Sequence, residues 1–319
     1  TVRPGAPGGA AYPSPATPAR ADGFGKAAQQ VARRAAQRAG VPAPTLDGRL
    51  SAAADTLAAV ARGGRPPPQA AVAFAQSHHG LLSPIPVVLV AQGSPGTAPA
   101  KLVAPLTPVL ADALRRTGAN RLGVGVHRRA DTLTLTVLLQ TRLVTLSALL
   151  PRQLPLDGVG RLEGEVDAAL RAPSVHVTDA DGRARQVPTQ AQGRRFQAQF
   201  PCRGAGVHRV EVMAEGPSGP VVAANMPVWC GQAPPAALDL AALPAGEREP
   251  AKAARRLFEL ANGERRGHGL PPLAWDDRLA QVAHTHSADM ARHGFVAHRS
   301  PRTGSPGDRV RAAGMHAEG

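Results

Sequence analysis

Aromatic side chains are scarce in this chain. There are 2 Trp, 1 Tyr and 6 Phe in 319 residues, 3% in all, against a hydrophobic content of 43%. Its cores must therefore be built mainly from Ala, Val and Leu. Lysine is nearly absent: Lys26, Lys101 and Lys252 are the only ones, so arginine carries almost all of the positive charge behind the formal net +14. A pI of about 11.4 raises nucleic acid as a partner. The arginines, however, are scattered and not interleaved with aromatics, and an Arg-, Ala-, Pro- and Gly-rich composition is that of a high-GC coding sequence. Nucleic acid is accordingly set aside, while attraction to an anionic cell envelope stays open. Long apolar runs are missing too. The best candidate, residues 85–91, is strand-sized and far short of the roughly 18–20 residues a spanning helix needs, so no transmembrane segment is expected.

Only two cysteines occur, Cys202 and Cys230, and both fall in one β-rich stretch. That suits a single structural disulfide in an oxidising compartment. Two free buried thiols are the alternative, and no partner histidine marks either one as a nucleophile. Within residues 156–231, RLEGEV (161–166), SVHVT (174–178), RFQAQF (195–200) and VHRVEVMA (207–214) alternate apolar and polar residues, and 221–228 is a more apolar run. Turns are expected at Asp179-Ala180-Asp181-Gly182, at 204–206 and at 216–219. Strands at this rhythm point to an immunoglobulin-like β-sandwich, without the strand-C tryptophan of antibody domains. Such a module spaces or binds.

The densest local information lies in residues 283–301, AHTHSADMARHGFVAHRSP. Arg278, Leu279, Val282, Ala283, His286, Met290 and Ala291 recur at spacings of three and four, the helical period. Gly294 is placed to end that helix in a left-handed cap, and His298 stands before Ser-Pro, where proline disfavours further helix. A histidine on an anchored loop is a candidate for metal or proton work. His284 and His286, two apart, point about 200° apart on a helix and cannot chelate one metal. His286 is expected to pack or cap, His293 to interact with the helix dipole, and Trp275 and Phe295 to be core.

These residues also carry a resemblance. LFELANGE (257–264), GLPPLAWD (269–276), HSADM (286–290), GFVAHRSP (294–301) and DRVRAAG (308–314) resemble, in order and spacing, the first half of a bacterial CAP domain. That is the superfamily of cysteine-rich secretory proteins, antigen 5 and plant pathogenesis-related protein 1. The resemblance implies a three-layer α-β-α sandwich with a cleft lined by two histidines and two acidic residues. His298 matches the first cleft histidine. The family's first cleft acid lies in a Gly-Glu-Asn motif shortly after the Arg-Ala-Ala-Gly segment; here either Glu318 is that residue or Gly319 opens the motif. The second acid, the second histidine and their strands are expected beyond Gly319.

Ahead of the sandwich, residues 25–150 suggest an α/β domain with a possible internal repeat. GVPAPTLDGRL (40–50) aligns without gaps on GLPPLAWDDRL (269–279), with Gly, Pro, Asp, Arg and Leu identical. Residues 121–139 resemble the closing strands of a CAP domain, with 102–117 as the helix between. Chance similarity in an Ala/Pro-rich chain is the competing explanation. Nothing in this first copy matches the His-x-Ser-Pro pattern; residues 77–84 (SHHGLLSP) are the nearest relic, and the His78-His79 pair is expected to be structural or vestigial. Residues 1–24 read as a flexible lead-in of the kind that follows a removed signal peptide, and 232–250 as a linker.

The expected fold class is α+β multidomain: an N-terminal α/β domain (25–150), degenerate CAP-like if the repeat is real, an immunoglobulin-like β-sandwich (156–231), and the N-terminal half of a CAP domain (251–319). The resemblance implies a secreted or envelope-associated bacterial protein, in the periplasm or at the cell surface, that binds a lipid, glycan or cell-wall component. The alternatives are a metal-dependent hydrolase or protease, with His298 and an acidic partner such as Glu318 as catalytic pair or Zn²⁺ ligands, and a structural envelope spacer.

Overall fold

The computed structural model describes residues 1–5, 8–13, 18–82, 84–217, 219–241, 249–293 and 298–315. The chain forms two compact units, Thr1–Leu243 and Pro244–Gly319. The first unit opens with β1 (Ala11–Tyr12), α1 (Gly23–Ala39), β2 (Thr45–Leu46), α2 (Gly48–Val60) and α3 (Gln69–His78). There follow β3 (Val87–Gly93), α4 (Pro99–Val103), α5 (Thr107–Thr117), β4 (Arg121–Arg128) and β5 (Leu133–Gln140). A four-stranded sheet runs in the order β2-β4-β5-β3, antiparallel except for the β2–β4 pair. Every residue of β5 is buried, the mark of a central strand covered on both faces. On one face Leu135, Val137 and Leu139 pack with α1 and α5; on the other Leu138 packs with Leu50, Leu57 and Phe74 of α2 and α3. The layers are therefore helix, sheet, helix.

Helix α2 does more than cover the sheet. Strand β2 pairs with β4 only at Arg121 and Leu122, which leaves the outer N–H groups further along β4 without a strand. Ser51 Oγ of α2 accepts from the N–H of Val124 at 3.2 Å, and Asp55 Oδ1 from that of Val126 at 2.8 Å. Backbone groups buried without partners are costly, and here a helix supplies the partners that a neighbouring strand would. The approach needs glycine. A Cβ on Gly123 would stand 2.5 Å from the Leu50 carbonyl group, and one on Gly125 would overlap the Ala54 carbonyl carbon.

The unit continues with β6 (Val144–Leu146), β7 (Leu150–Pro151), β8 (Gln153–Leu154), β9 (Val159–Val166), β10 (Arg171–Thr178), β11 (Ala184–Val187), β12 (Thr189–Gln192), β13 (Arg195–Pro201), β14 (Gly206–Gly216) and β15 (Gly219–Cys230). They form two sheets, β11-β10-β14-β15-β8 and β12-β13-β9-β6. Alternation along β13 is strict: every second residue is buried, through Phe196, Ala198 and Phe200. These residues share one core with Val175, Val177, Val210, Val212 and Met226 of the other sheet. Strands β6 and β8 enter these sheets from ahead of residue 156, and β11 and β12 place the chain in one sheet and then the other on either side of Pro188. Cys202, just after β13, is disulfide-bonded to Cys230 at the end of β15, so the bond crosses from one sheet to the other.

Residues 1–24, expected to be flexible, are tied down at two points among their described residues. Val2 exchanges backbone hydrogen bonds with Leu238, inside the stretch read as a linker, and Tyr12 pairs with Leu150; both side chains are fully buried. Apolar burial explains the difference, since composition alone suggests a free segment. Near Tyr12 lies Arg152, only 3% exposed. Its guanidinium sits 5.9 Å from the Tyr12 ring centroid and 5.1 Å from that of Trp229, and Nη1 donates to the Gly9 carbonyl at 3.0 Å and that of His78 at 3.5 Å. Two ring faces and the carbonyl end of α3 together offset the burial of a cation. Burial pushes the Tyr12 hydroxyl up to about 12, with the neighbouring Arg152 opposing the shift.

The second unit holds α6 (Pro250–Gly267), α7 (Asp277–His293) and α8 (Pro306–Ala312). Asn262 of α6 accepts from the Leu273 N–H at 2.7 Å and donates to the Leu273 carbonyl at 3.1 Å, pinning the connecting segment to the helix. Trp275, expected as core, is half-buried: it meets Phe258 edge-on at 5.2 Å, lies under the Arg255 guanidinium at 3.8 Å, and donates from Nε1 to Asp277. The aligned segments 40–50 and 269–279 have matching local geometry. Gly40 and Gly269 both take left-handed backbone, φ 68° and 70°. Asp47 Oδ1 accepts from the Leu50 N–H at 3.1 Å, as Asp276 Oδ1 does from that of Leu279 at 2.9 Å. The aligned leucines differ in burial: Leu50 is fully buried, whereas Leu279 is 47% exposed, as are Leu257, Leu260, Leu270 and Leu273 to similar or greater degree.

Two outcomes follow from these contacts. Gly125→Ala should destabilise the first unit by about 1–3 kcal/mol in urea unfolding; a variant within about 0.5 kcal/mol of wild type would mean that α2 has room to move away. Thiol titration of denatured, unreduced protein should find no free thiol, and replacing both Cys202 and Cys230 by Ala should cost about 2–4 kcal/mol. Two reactive thiols in freshly purified protein would overturn the assignment.

Candidate functional site

The residues of the second unit that carry polar chemistry gather where α7 faces the loop leading into α8. Helix α8 begins with a reciprocal cap: Ser305 Oγ accepts from the Asp308 N–H at 3.2 Å, and Asp308 Oδ2 accepts from the Ser305 N–H at 2.8 Å. The hydrogen bonds from Ser305, then Arg311, hold the Asp308 carboxyl down at about 2. The cap fixes where the loop ends.

Asp289 of α7 fixes the loop's middle. Ser300 Oγ donates to Asp289 Oδ2 at 2.9 Å and accepts from the N–H groups of Arg302 and Thr303 at 3.1 and 3.2 Å. Ser300 is 2% exposed, and its backbone exchanges hydrogen bonds with Gly304. The other carboxylate oxygen of Asp289 lies 2.9 Å from His293 Nδ1 and 3.4 Å from Arg302 Nε. Arg302 also donates to His293 Nε2. The Ser300 hydrogen bond, then the Arg302 charge and the His293 hydrogen bond, hold the Asp289 carboxyl below the usual carboxylate range. His293 therefore has a side-chain partner in Asp289 beside its expected place near the helix end.

His298 is exposed, and its backbone carbonyl accepts from Arg309 Nη2 at 3.0 Å, while Arg309 Nη1 donates to the Gly304 carbonyl at 2.7 Å. One arginine of α8 thus grips both sides of the loop. Between α7 and α8 lies a cavity of about 860 Å³ whose lining includes His284, His286, Asp289, Arg292, Arg302 and Arg309. Three guanidinium groups against one carboxylate, itself already engaged, make this lining basic. His286 is buried and His284 exposed on the same helix, as their two-residue offset requires.

None of the other described candidates lines this cavity. Glu318, like Gly294 and Phe295, falls outside the described residues. Cys202 and Cys230 belong to the first unit, as do His78 and His79. His79 Nε2 is 2.9 Å from Thr56 Oγ1, and burial, with His78 and Arg152 nearby, lowers its pKa to about 4, so it is neutral at ordinary pH. Whether Zn²⁺ fits at His298 is a matter of donors. Among the described residues, Cys202, His208 and Cys230 are the one group of three or more ligand atoms of metal-binding type within 4.8 Å of one another, so none of the described residues completes a Zn²⁺ site around His298. The groups that position the loop, Asp289, Ser300, Arg302 and Arg309, carry no periodic signal. The presence of Asp289 and Ser300 in the HSADM and HRSP segments is the available clue.

Residues 258–319 match the CAP model, described as the cysteine-rich secretory protein family. Over 61 residues the chain is 38% identical to uncharacterized protein YkwD of Bacillus subtilis (strain 168), covering 19% of this chain and 24% of that protein. Over 56 residues it is 39% identical to uncharacterized membrane protein YlbC of the same organism, covering 18% and 16%. The chain thus spans about a quarter or less of the length of these curated relatives. A solved polysaccharide lyase aligns with 31% of this chain and 15% of its own, at 15% identity and a TM-score of 0.21, which carries no argument.

Asp289→Asn should release the loop. Amide exchange of Arg302 and Thr303, followed by NMR, should quicken in the variant, and Ser300→Ala should do the same. In wild type the depressed Asp289 carboxyl means protection is complete above the ordinary value of about 3.9 and is lost as pH falls through the lower folded value. Unchanged exchange in Asp289→Asn would show that this carboxylate does not hold the loop.

Proposed function

We propose that this protein, whose residues 258–319 match the cysteine-rich secretory protein family model, is an extracellular binding protein whose second unit presents to a ligand the α7–α8 cavity and His298, on the loop that Arg309 holds. The observation that carries the reading is the basic cavity beside a loop stapled by Asp289 and gripped by Arg309. Rigid loops bearing polar groups next to a concavity are where binding residues concentrate. The ligand class is an envelope component, lipid or glycan, with anionic groups favoured by Arg292, Arg302 and Arg309. A disulfide suits an extracytoplasmic location, and among the described residues no helix is long and apolar enough to cross a membrane.

Binding is favoured over hydrolysis by the state of the acids. Asp289 is committed to Ser300, His293 and Arg302, and the contacts found for His298 include no described carboxylate. The remainder of the chain is a support. Residues 25–150 are a second, degenerate copy of the same fold, which the shared Gly-cap and Asp-cap geometry of 40–50 and 269–279 supports. Residues 156–231 are an immunoglobulin-like spacer, and 232–250 connect to the C-terminal module.

The test is co-sedimentation of the protein with anionic phospholipid vesicles, neutral vesicles and isolated cell-wall glycan. His298→Ala and Arg292→Ala should lose retention on the phase that wild type binds, with melting temperatures unchanged, while His286→Ala should lower stability through lost packing. Equal retention of wild type and both surface variants would remove the cavity from the function.

A further inference from the structure

The first unit contains the one cluster of metal-ligating groups among the described residues. Cys202, His208 and Cys230 are each fully buried, and a ring nitrogen of His208 and the two sulfurs all lie within 4.8 Å of one another. His208 points inward from β14, whose Gly206 pairs with Cys230. Its Nε2 is 2.7 Å from the Arg203 carbonyl oxygen. A carbonyl can only accept, so Nε2 bears the hydrogen and Nδ1 is left with a lone pair. Among the described residues the buried Nδ1 has no hydrogen-bond partner, a rare and costly state for a buried acceptor. The same Nε2 is 3.4 Å from Asp179 Oδ1, and Asp179 is held by Arg185 through contacts of 3.2 and 2.9 Å. A carbonyl and a carboxylate on one ring nitrogen, with the other bare, is the arrangement that orients a metal-binding imidazole.

We propose that the dithiol form of this protein binds Zn²⁺ through Cys202 Sγ, Cys230 Sγ and His208 Nδ1, leaving a fourth position for water or a small ligand. Tetrahedral zinc with thiolate and imidazole donors sets them about 3.5–3.8 Å apart, so the cluster needs little more than parting of the two sulfurs. A dithiol reductant supplies the step: its two electrons break the S–S bond, its two protons pass to the Cys202 and Cys230 sulfurs, and it leaves as a cyclic disulfide. Zn²⁺ then displaces both thiol protons to solvent. Two thiolates neutralise the dication, which suits a site with no solvent exposure. Disulfide and metal are thus alternative ties between the same two sheets.

The full-length chain, reduced with a phosphine under anaerobic conditions and freed of reductant, is titrated with Co²⁺ as the probe. One Co²⁺ per chain should bind with thiolate charge-transfer and tetrahedral visible bands, be displaced by Zn²⁺, and be absent from the oxidised protein. His208→Gln should weaken Co²⁺ binding at least tenfold, and Asp179→Asn by a smaller factor. No Co²⁺ bands in the reduced protein, or equal affinity in wild type and His208→Gln, would overturn the proposal. Near-UV circular dichroism covers the case of a reduced chain that unfolds: recovery of the native spectrum on adding Zn²⁺ supports the site, and failure to recover counts against it. If His208→Gln does not fold, reduced Cys202→Ser serves in its place and should bind no Co²⁺.

Discussion

A strand inside a protein must satisfy its backbone on both edges, and in this chain β4 meets that requirement on one edge largely with a helix. Ser51 and Asp55 of α2 accept from Val124 and Val126, so the helix has to lie close along the strand. That closeness demands Gly123 and Gly125, presses Leu50 and Leu57 into the sheet, and leaves α1 and α5 to cover the opposite face. The order of the layers follows from where two backbone N–H groups find acceptors. Asp55 is held in turn by Arg20 at 2.6 Å, which draws the segment before α1 onto the same edge.

The second unit solves a similar local problem with different consequences. Helix α7 starts as α2 does, with an aspartate accepting from a leucine N–H three residues on. Its leucine at that place remains exposed, and its polar face is organised by Asp289 instead. A carboxylate that accepts from a serine hydroxyl and faces a histidine and an arginine holds a loop better than any one of those contacts would, because the groups restrain one another. The loop is fixed at its middle by Asp289 and at its flanks by Arg309. The result is a basic concavity whose lining includes Arg309, the arginine that also holds the His298 carbonyl.

Positive charge is managed differently in each place. Arg152 is buried between two aromatic rings and the end of α3, Arg185 is engaged by Asp179, and the cavity arginines keep part of their charge toward open space. The scarcity of aromatics gives this placement its weight. The only Tyr and one of the two Trp are the rings that flank Arg152.

Much of the local structure is legible in the sequence. The spacing of Arg278, Leu279, Val282, Ala283, His286, Met290 and Ala291 predicts a helix, and Asp277–His293 forms, because spacing of apolar residues and capping side chains act within a few residues. Strands β9, β10, β13, β14 and β15 occupy the alternating segments for the same reason, and the CAP resemblance of the last residues stands on motifs that are contiguous in sequence. Other features have no local trace. The edge strands ARQV and TQAQ are largely polar and held by backbone pairing; β6 and β8 are too short for a period; Val2 and Tyr12 are buried by partners far along the chain. The same holds for the sites. Periodicity singles out the loop carrying His298. Asp289, eleven residues from Ser300, and His208, close to both Asp179 and the Cys202–Cys230 disulfide, acquire their chemistry from neighbours that only folding brings together. Sequence alone determines what a residue prefers over one or two turns of chain. The partner that gives a buried acceptor or a carboxylate its role is decided by tertiary packing, since hydrogen bonds and desolvation act over a few ångströms of space and are blind to separation along the backbone.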